Sequence, residues 1–374
     1  MIRRTWTYKL TAALAAVAIG GAVAALPAGA GQRHKPAPEP EEPITVLASG
    51  LEAPFGLSAR YQNIFVAESG KGQVDRVDPK AGPDDNATPV ITDLPSPAAV
   101  ARTRDGLAIV TSGADAPDAD LEGTASVYWV FGDIQGPATL VADLQAYELE
   151  NNPDGQPHFD PETGEPLDSI SNPFGVGVAP DGRSVYVADG GANDVLHVTP
   201  DGEITTFFVP PVVTTGVCEG RPNNDAEHAG CDPVPTGVTV GPDGRIYVST
   251  LSAEAPGEGI VYILDESGEI LDTIGGLDSP TGVAVDDHRN VYVSDVLHGA
   301  PPEDEEPPPD FDPSTVGRIV RIGPDGERTY AAVTMPTGLL WFNGTLYASA
   351  WSIAGFLGIE GAGQVVAVHD SAFS

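Results

Sequence analysis

Three carboxylates occupy equivalent places in repeated segments of this chain, each at the end of a predicted strand: Glu68, Asp189 and Asp295. If the three strand ends surround one opening, their oxygens could coordinate a hard cation such as Ca²⁺. The competing interpretation is structural, because an Asp that ends a strand also accepts hydrogen bonds from the following loop. We favour the structural interpretation. The three residues stay as weak metal-site candidates, and Ca²⁺ is the only cofactor they suggest.

Three histidines, His158, His228 and His298, lie in polar segments predicted to be loops. Together they could ligate a metal or supply a general base. No Ser or Cys nucleophile motif accompanies them, so we favour three separate surface histidines and assign no catalytic residue. Trp351, in the last predicted loop, would either stack on a ligand or cover the opening.

Residues 1–30 have the pattern of a secretory signal peptide. Arg3, Arg4 and Lys9 precede an apolar run, and Ala28-Gly29-Ala30 is a small-residue cleavage site. We expect a secreted, extracellular protein, exported by the general route rather than the twin-arginine route. Residues 31–43 form a linker rich in Pro and charge. No later apolar run reaches the roughly 20 residues that a membrane span requires.

Cys218 and Cys231 are the only cysteines, and in an exported chain they predict an intrachain disulfide. The alternative is a Cys₂His metal site that includes His228, which lies between them. No fourth ligand is nearby, so we favour the disulfide.

The formal net charge of −36 excludes nucleic acid as a partner and favours divalent cations or basic molecules. Solubility or salt tolerance explains the same charge equally well.

The expected oligomeric state of the protein is a monomer.

The elements that position these residues come in six copies. Each copy begins with Pro, and about ten residues later follows an aliphatic and aromatic run, as in Val291-Tyr292-Val293-Ser294-Asp295. The copies begin at Pro54, Pro97, Pro173, Pro235, Pro280 and Pro336. Strand-rich units repeated at this scale are typical of propeller blades. We therefore predict an all-β, six-bladed β-propeller over residues 44–374, with four antiparallel strands per blade. The last copy lacks its fourth strand, which Ile44–Ala48 is expected to supply.

Antiparallel order places the tight Pro-Asp-Gly turns at one end of the propeller and every insertion at the other, which we call the long-loop face. The insertions are Ser112–Gly123, Asp143–Asn172, Pro210–Pro233, Leu251–Gly259, Val296–Val316 and Trp351–Gly363. Two of them are acidic, with Asp115, Asp118, Asp120 and Glu122 in the first. No run matches the EF-hand spacing. Glu303–Asp310 is interpreted as a solvated, disordered tract.

The segment Pro280-Thr281-Gly282-Val283 with its β-rich continuation resembles an NHL repeat. Leu47–Leu57 together with Phe65–Gly70 resembles the ScyD/ScyE-like family of exported bacterial propellers. The resemblance implies the fold and little about activity.

Gluconolactonase-like propellers place Asn, Asp or Glu before the Gly of the first strand, where these residues bind a central metal. Here the same places hold Phe55, Ala98, Phe174, Thr236, Thr281 and Thr337. The resemblance therefore transfers no metal site.

These observations favour a binding protein without catalysis. Its ligand would be a protein, glycan or small molecule held on the long-loop face. The alternative is a metal-assisted hydrolase or lyase that acts at the central opening.

Overall fold

The computed structural model describes residues 42–83, 86–113, 123–132, 134, 136–224, 228–302 and 307–374. The predicted signal peptide, nearly all of the predicted linker and the acidic segments 115–122 and 303–306 lie outside these ranges. Within them, no helix has the length and apolar character needed to cross a membrane.

The chain forms a six-bladed β-propeller, as predicted, from six four-stranded antiparallel sheets. The first twelve strands are β1 (Ile44–Leu51), β2 (Pro54–Arg60), β3 (Asn63–Glu68), β4 (Gln73–Val77), β5 (Ala87–Ile91), β6 (Pro97–Arg102), β7 (Gly106–Thr111), β8 (Ser126–Phe131), β9 (Thr139–Asp143), β10 (Pro173–Val178), β11 (Val185–Asp189) and β12 (Asp194–Val198). The remaining strands are β13 (Ile204–Phe208), β14 (Pro235–Val240), β15 (Ile246–Thr250), β16 (Gly259–Leu264), β17 (Ile270–Leu277), β18 (Pro280–Val285), β19 (Val291–Asp295), β20 (Arg318–Ile322), β21 (Arg328–Ala331), β22 (Leu339–Phe342), β23 (Thr345–Ala350) and β24 (Gly363–Val368).

Blades 1 to 5 are consecutive groups of four strands, from β2–β5 to β18–β21. Blade 6 has the order β1-β24-β23-β22, so the N-terminal strand completes the last sheet. This confirms the predicted closure. The pairing covers the edge of β24 that would otherwise be exposed.

One α-helix, α1 (Leu144–Asn151), was not predicted from the sequence. It lies in the segment that links blades 2 and 3. The side chain of Asp143 caps the helix by accepting a hydrogen bond from Ala146 N at 2.8 Å. Short 3₁₀ turns occur at Ser69–Lys71, Gly216–Cys218, Ser252–Glu254, Pro313–Thr315, Ala354–Leu357 and Asp370–Ala372.

The hydrophobic core is divided into six layers, one between each pair of neighbouring blades. Trp129 of blade 2, for example, packs against Val187 and Leu196 of blade 3. Leu346 of blade 6 packs with Tyr292 of blade 5. Alternate residues of each strand therefore face opposite layers, and a blade is buried only when both neighbours are present.

The glycine of the repeated Pro-x-Gly segment is required by the closeness of the innermost strands. A Cβ atom on Gly282 would lie 2.1 Å from the carbonyl oxygen of Thr337 in the next blade, and one on Gly338 would lie 2.3 Å from that of Phe55. The preceding residue is extruded by a β-bulge, because the strand register shifts between Pro and Gly. The bulge aims that residue at the central axis.

Candidate functional site

The central axis contains a narrow cavity of about 50 Å³ lined by backbone and by small or aliphatic side chains. Phe174 lines this cavity, and its ring centroid lies 5.2 Å from that of Phe55, the equivalent residue of blade 1. No carboxylate, amide or imidazole among the described residues lines this cavity.

The bulged threonines of blades 4 to 6 are used within the structure. The hydroxyl of Thr236 donates to the carbonyl oxygen of Pro280 at 2.8 Å, and that of Thr281 donates to Pro336 at 3.2 Å. Each bond joins one blade to the next. These hydroxyls are therefore already partnered and buried, and they offer little to a ligand on the axis.

The acidic strand ends Glu68, Asp189 and Asp295 are fully buried. Each accepts a hydrogen bond from the backbone of the segment that leads into the first strand of its own blade. Glu68 accepts from Glu52 N at 2.7 Å, Asp189 from Asn172 N at 2.7 Å, and Asp295 from Ser279 N at 2.6 Å. Most of these donors precede the first strand, whereas the sequence analysis expected them in the loop after the carboxylate. From the loop after the carboxylate, Asp189 also accepts a hydrogen bond from Ala192 N at 3.2 Å, and Glu68 is paired with the side chain of Lys71.

In blade 1, Glu68 has both a cation and a second acid beside it. Lys71 Nζ lies 2.8 Å from Glu68, and Gln73 donates to both Glu68 and Asp75. Burial opposes ionisation of Glu68, but hydrogen bonds from Asp75 and Lys71 outweigh it and lower its pKa. Burial and the hydrogen bond to Glu68 raise the pKa of Asp75 to about 7. Below about pH 7 these shifts favour one proton in the pair, carried by Asp75.

In blade 5, Asp278, Asp295 and His298 form the only group of three metal-ligating side chains in the described residues whose ligand atoms all lie within 4.8 Å of one another. Arg318 already supplies the positive charge. Its Nη2 lies 2.9 Å from Asp295 and 3.3 Å from Asp278. The guanidinium group thus takes the place that a cation would need.

In blade 3, Asp189 belongs to a buried acidic cluster that also contains Glu148 of α1, Asp154 and Asp194. Burial, followed by the charges of Asp154 and Asp189, raises the pKa of Glu148 to about 8. Burial and the charges of Asp189, Glu148 and Asp154 raise the pKa of Asp194 well above its usual value.

The structure does not bring the three histidines together. His158 Nε2 is 2.9 Å from Glu148, and His298 Nδ1 is 2.7 Å from Asp278 in another blade, while His228 is exposed. Trp351 packs with Ile353 and Met335 in a hydrophobic cluster under the last loops. Trp351 thus covers loop residues and is only partly exposed.

Cys218 and Cys231 form a disulfide, as predicted. It packs with Val213 and Ala255 in a small hydrophobic cluster on the long-loop face. The disulfide closes a loop within the segment between blades 3 and 4, and its packing against Ala255 joins this segment to the loop of blade 4.

A cleft of about 280 Å³ lies beside this cluster, between blades 3 and 4. Its described lining is mostly polar or glycine and comprises Asp168, Ser169, Gly190, Gly191, Asn193, Asn224, Asp232, Val234, Leu251, Ala253 and Glu254. Asn224 donates to Asp168 at 2.5 Å, and Gln156 donates to Asp232 at 2.7 Å. The carboxylates are thereby positioned around the opening.

The wall of the cleft contains an unusual backbone. Ser252, Ala253 and Glu254 have φ values of 52°, 50° and 56°, so three consecutive residues other than glycine adopt the left-handed region. Such conformations are costly and concentrate at ligand-binding and switch segments. The sequence predicts insertions on this face but not the cleft, because the residues that line the cleft come from four separate segments.

Comparisons with protein-family models and with curated proteins give no match. Among solved structures, the chain is similar to the calcium-binding protein regucalcin from Agrobacterium tumefaciens, with 12% identity over 86% of this chain and 92% of that one and a TM-score of 0.52. It is also similar to a gluconolactonase from Xanthomonas campestris, with 11% identity, coverage of 87% and 89%, and a TM-score of 0.51. A protein of unknown function from Bacteroides thetaiotaomicron gives 13% identity, coverage of 87% and 75%, and a TM-score of 0.54. At these identities the likeness concerns the fold alone. The chain is a six-bladed β-propeller whose structural neighbours include gluconolactonase and regucalcin.

Proposed function

We propose that this chain is an exported binding protein whose ligand site is the cleft between blades 3 and 4 on the long-loop face. The observation that carries the proposal is the cleft itself, in which carboxylates and amides surround an opening walled by the left-handed segment Ser252–Glu254. The disulfide supports an oxidising compartment. The repeat pattern supports membership of the NHL-type, ScyD/ScyE-like propellers.

The chemistry of the lining selects the ligand class. Asp168, Asp232 and Glu254 contribute three carboxylates, and no Lys or Arg is among the described lining residues. A cleft of this size accommodates a small molecule or one long side chain. We therefore propose a small organic cation, an amine or guanidinium compound, which the net charge of −36 would also attract.

Catalysis at the central opening is the weaker candidate. A metal-assisted hydrolase needs ligands and a general base that converge on the substrate. The described axial residues offer Phe55, Phe174 and threonines that already bond to neighbouring blades.

Calorimetric titration with agmatine in about 0.15 M NaCl tests the proposal, because diffuse binding is screened at that salt concentration. We expect saturable binding of one agmatine per chain. The double variant Asp168→Asn, Glu254→Gln should lose at least about tenfold in affinity. Glu162→Gln removes an exposed charge from the same blade crossing, outside the cleft, and is the matched control.

Two outcomes would contradict the proposal. One is binding that the double variant and the control weaken equally. The other is turnover of a lactone that the cleft substitutions leave unchanged, which would favour the axial alternative.

A further inference from the structure

In blades 1, 3 and 5 the second strand ends opposite the first residue of the third strand, and the three acidic strand ends differ in the residue that they face. Glu68 is paired with Gln73 and Asp295 with Arg318. Asp189 is paired with Asp194. Two blades thus place a hydrogen-bond donor opposite the acid, and blade 3 places a second acid there.

Among the described residues, Asp194 has no partner that compensates its charge. It is fully buried, and neither carboxylate oxygen has a hydrogen-bond partner. The oxygens of Asp189 are already engaged by Ser171 Oγ at 2.5 Å and Asn172 N at 2.7 Å. A buried carboxylate without a partner costs several kcal/mol, so its charge must be neutralised by a proton or by a cation.

Other buried side-chain oxygens of the described residues, in α1 and the segment after it, also lack a hydrogen-bond partner. Glu148 is 1% exposed, and its Oε2 has no partner, while its Oε1 lies 2.9 Å from His158 Nε2. The side-chain oxygens of Asn152 and Gln156, in the segment after α1, are also unpartnered. All of these atoms are acceptors, and no Lys or Arg of the described residues forms an ion pair with Glu148 or Asp194.

The arrangement differs from a pair of acids that shares a proton. In blade 1 the carboxyl groups of Glu68 and Asp75 hydrogen-bond each other. Among the described residues, no hydrogen bond joins Asp194 or Glu148 to another carboxyl group, and these groups interact only through space. A shared proton requires such a hydrogen bond, so it does not account for these two acids.

We propose that blade 3 binds a calcium-class cation between α1 and the turn that joins β11 and β12, with Asp194 and Glu148 as its principal ligands. Ca²⁺ takes six to eight oxygens and accepts a mixture of carboxylate, amide and water ligands. Asp154, Asn152 and Gln156 lie in the adjoining segment. The oxygens are more widely spread than those of Asp278, Asp295 and His298, so water completes the coordination.

The cation would connect elements that also build the cleft. Asp154 accepts from Asn193 Nδ2 at 3.1 Å, and Asn193 Oδ1 accepts from Val234 N at 3.1 Å. The ion would thereby fix α1 and residues 152–158 against the inner blades. The proposal stands whether or not the cleft binds an amine.

The test is a Ca²⁺ titration of the secreted protein after treatment with EDTA, followed by calorimetry and by thermal unfolding in about 0.15 M NaCl. We expect one Ca²⁺ per chain and a rise in Tm of about 5 °C at saturation. Asp194→Asn should lower the affinity at least tenfold and remove the shift. Without Ca²⁺ this variant should melt no lower than the wild type, because a buried charge is gone.

Glu148→Gln is the second ligand variant and should also lose the shift. Asp278→Asn is the matched control, since it alters the other candidate trio and should leave Ca²⁺ binding unchanged. The proposal is overturned if the wild type shows no saturable binding, if both ligand variants bind like the wild type, or if the shift disappears in about 0.5 M NaCl as expected for diffuse screening.

Discussion

The side chains of Thr45 and His369 are hydrogen-bonded at 3.2 Å, although 324 residues separate them along the chain. Beside them, His369 N donates to the carbonyl oxygen of Pro43 at 3.0 Å. The two ends of the described propeller are thus held together by side-chain and backbone contacts at the edge of blade 6.

The first prediction concerns this closure. A chain that begins at Glu42 should melt within about 1 °C of the mature protein. A chain that begins at Glu52 lacks β1 and should lose on the order of 5 kcal/mol or aggregate, because Leu47, Ala48 and Leu51 are buried against blade 6. Thermal unfolding and light scattering measure both effects. Equal melting of the two chains would contradict the closure by β1.

A second prediction concerns the contact between inner strands. Gly282→Ala should destabilise the protein by about 3 kcal/mol, because the new methyl group would lie 2.1 Å from the backbone oxygen of Thr337. Gly275→Ala is the control, since nothing lies within 4 Å of its Cβ position. Urea unfolding of both variants compares the two sites, and a cost that is the same at each would show that the blades adjust freely.

A third prediction concerns pH. The pKa of Asp75 is raised to about 7 from a usual value of 3.8, so the folded protein keeps this proton longer than the unfolded chain does. Its contribution to stability is therefore complete below about pH 4 and is lost as the pH rises towards 7.

The side-chain amide in Asp75→Asn can still donate a hydrogen bond to Glu68 but carries no titrating proton. The variant should therefore not lose stability as the pH rises, and at pH 8 it should be more stable than the wild type by at least about 1 kcal/mol. Urea unfolding at pH 5 and pH 8 measures the difference. Asp287→Asn, an exposed position, is the control. The prediction fails if the advantage of Asp75→Asn is the same at both pH values.

The disulfide is the subject of the fourth prediction. Replacing Cys218 and Cys231 with Ser should loosen residues 210–233, because a bridge with a sequence separation of 13 restricts the open loop by about 3 kcal/mol. Cleavage after Glu219 by a glutamyl endopeptidase should accelerate, while cleavage after Glu266 in a blade turn serves as the internal control. The six sheets pair without the bridge, so Tm should change little; a global loss of fold would show otherwise.

The fold could be predicted because the same strand-forming segment recurs in each blade. Pro280-Thr281-Gly282 contains a β-bulge and a close contact between strands that only glycine allows. Similar segments begin the other blades. The short helix α1 was not predicted, although Leu, Gln, Ala and Glu favour helices, because it occurs once within an insertion.

The candidate sites were harder to predict. The sequence analysis aligned the strand ends Glu68, Asp189 and Asp295 but did not compare the residues opposite them. Gln73, Asp194 and Arg318 become comparable only when the pairing register is known. Glu148 has no counterpart in other blades, so its approach to Asp194 depends on how the insertion packs.

The position of β1 also determines the order in which the molecule can assemble. Blades 1 to 5 are each built from consecutive strands, so each sheet can pair as soon as its own strands are available. Blade 6 must wait until β24, near the end of the chain, meets a strand made at the beginning. Contacts between such distant residues carry a large entropic cost and slow folding. During synthesis, β1 therefore stays without its pairing strand β24 until the final blade emerges, and until then Leu47 and Leu51 have only the blade 1 side of their hydrophobic layer to pack against.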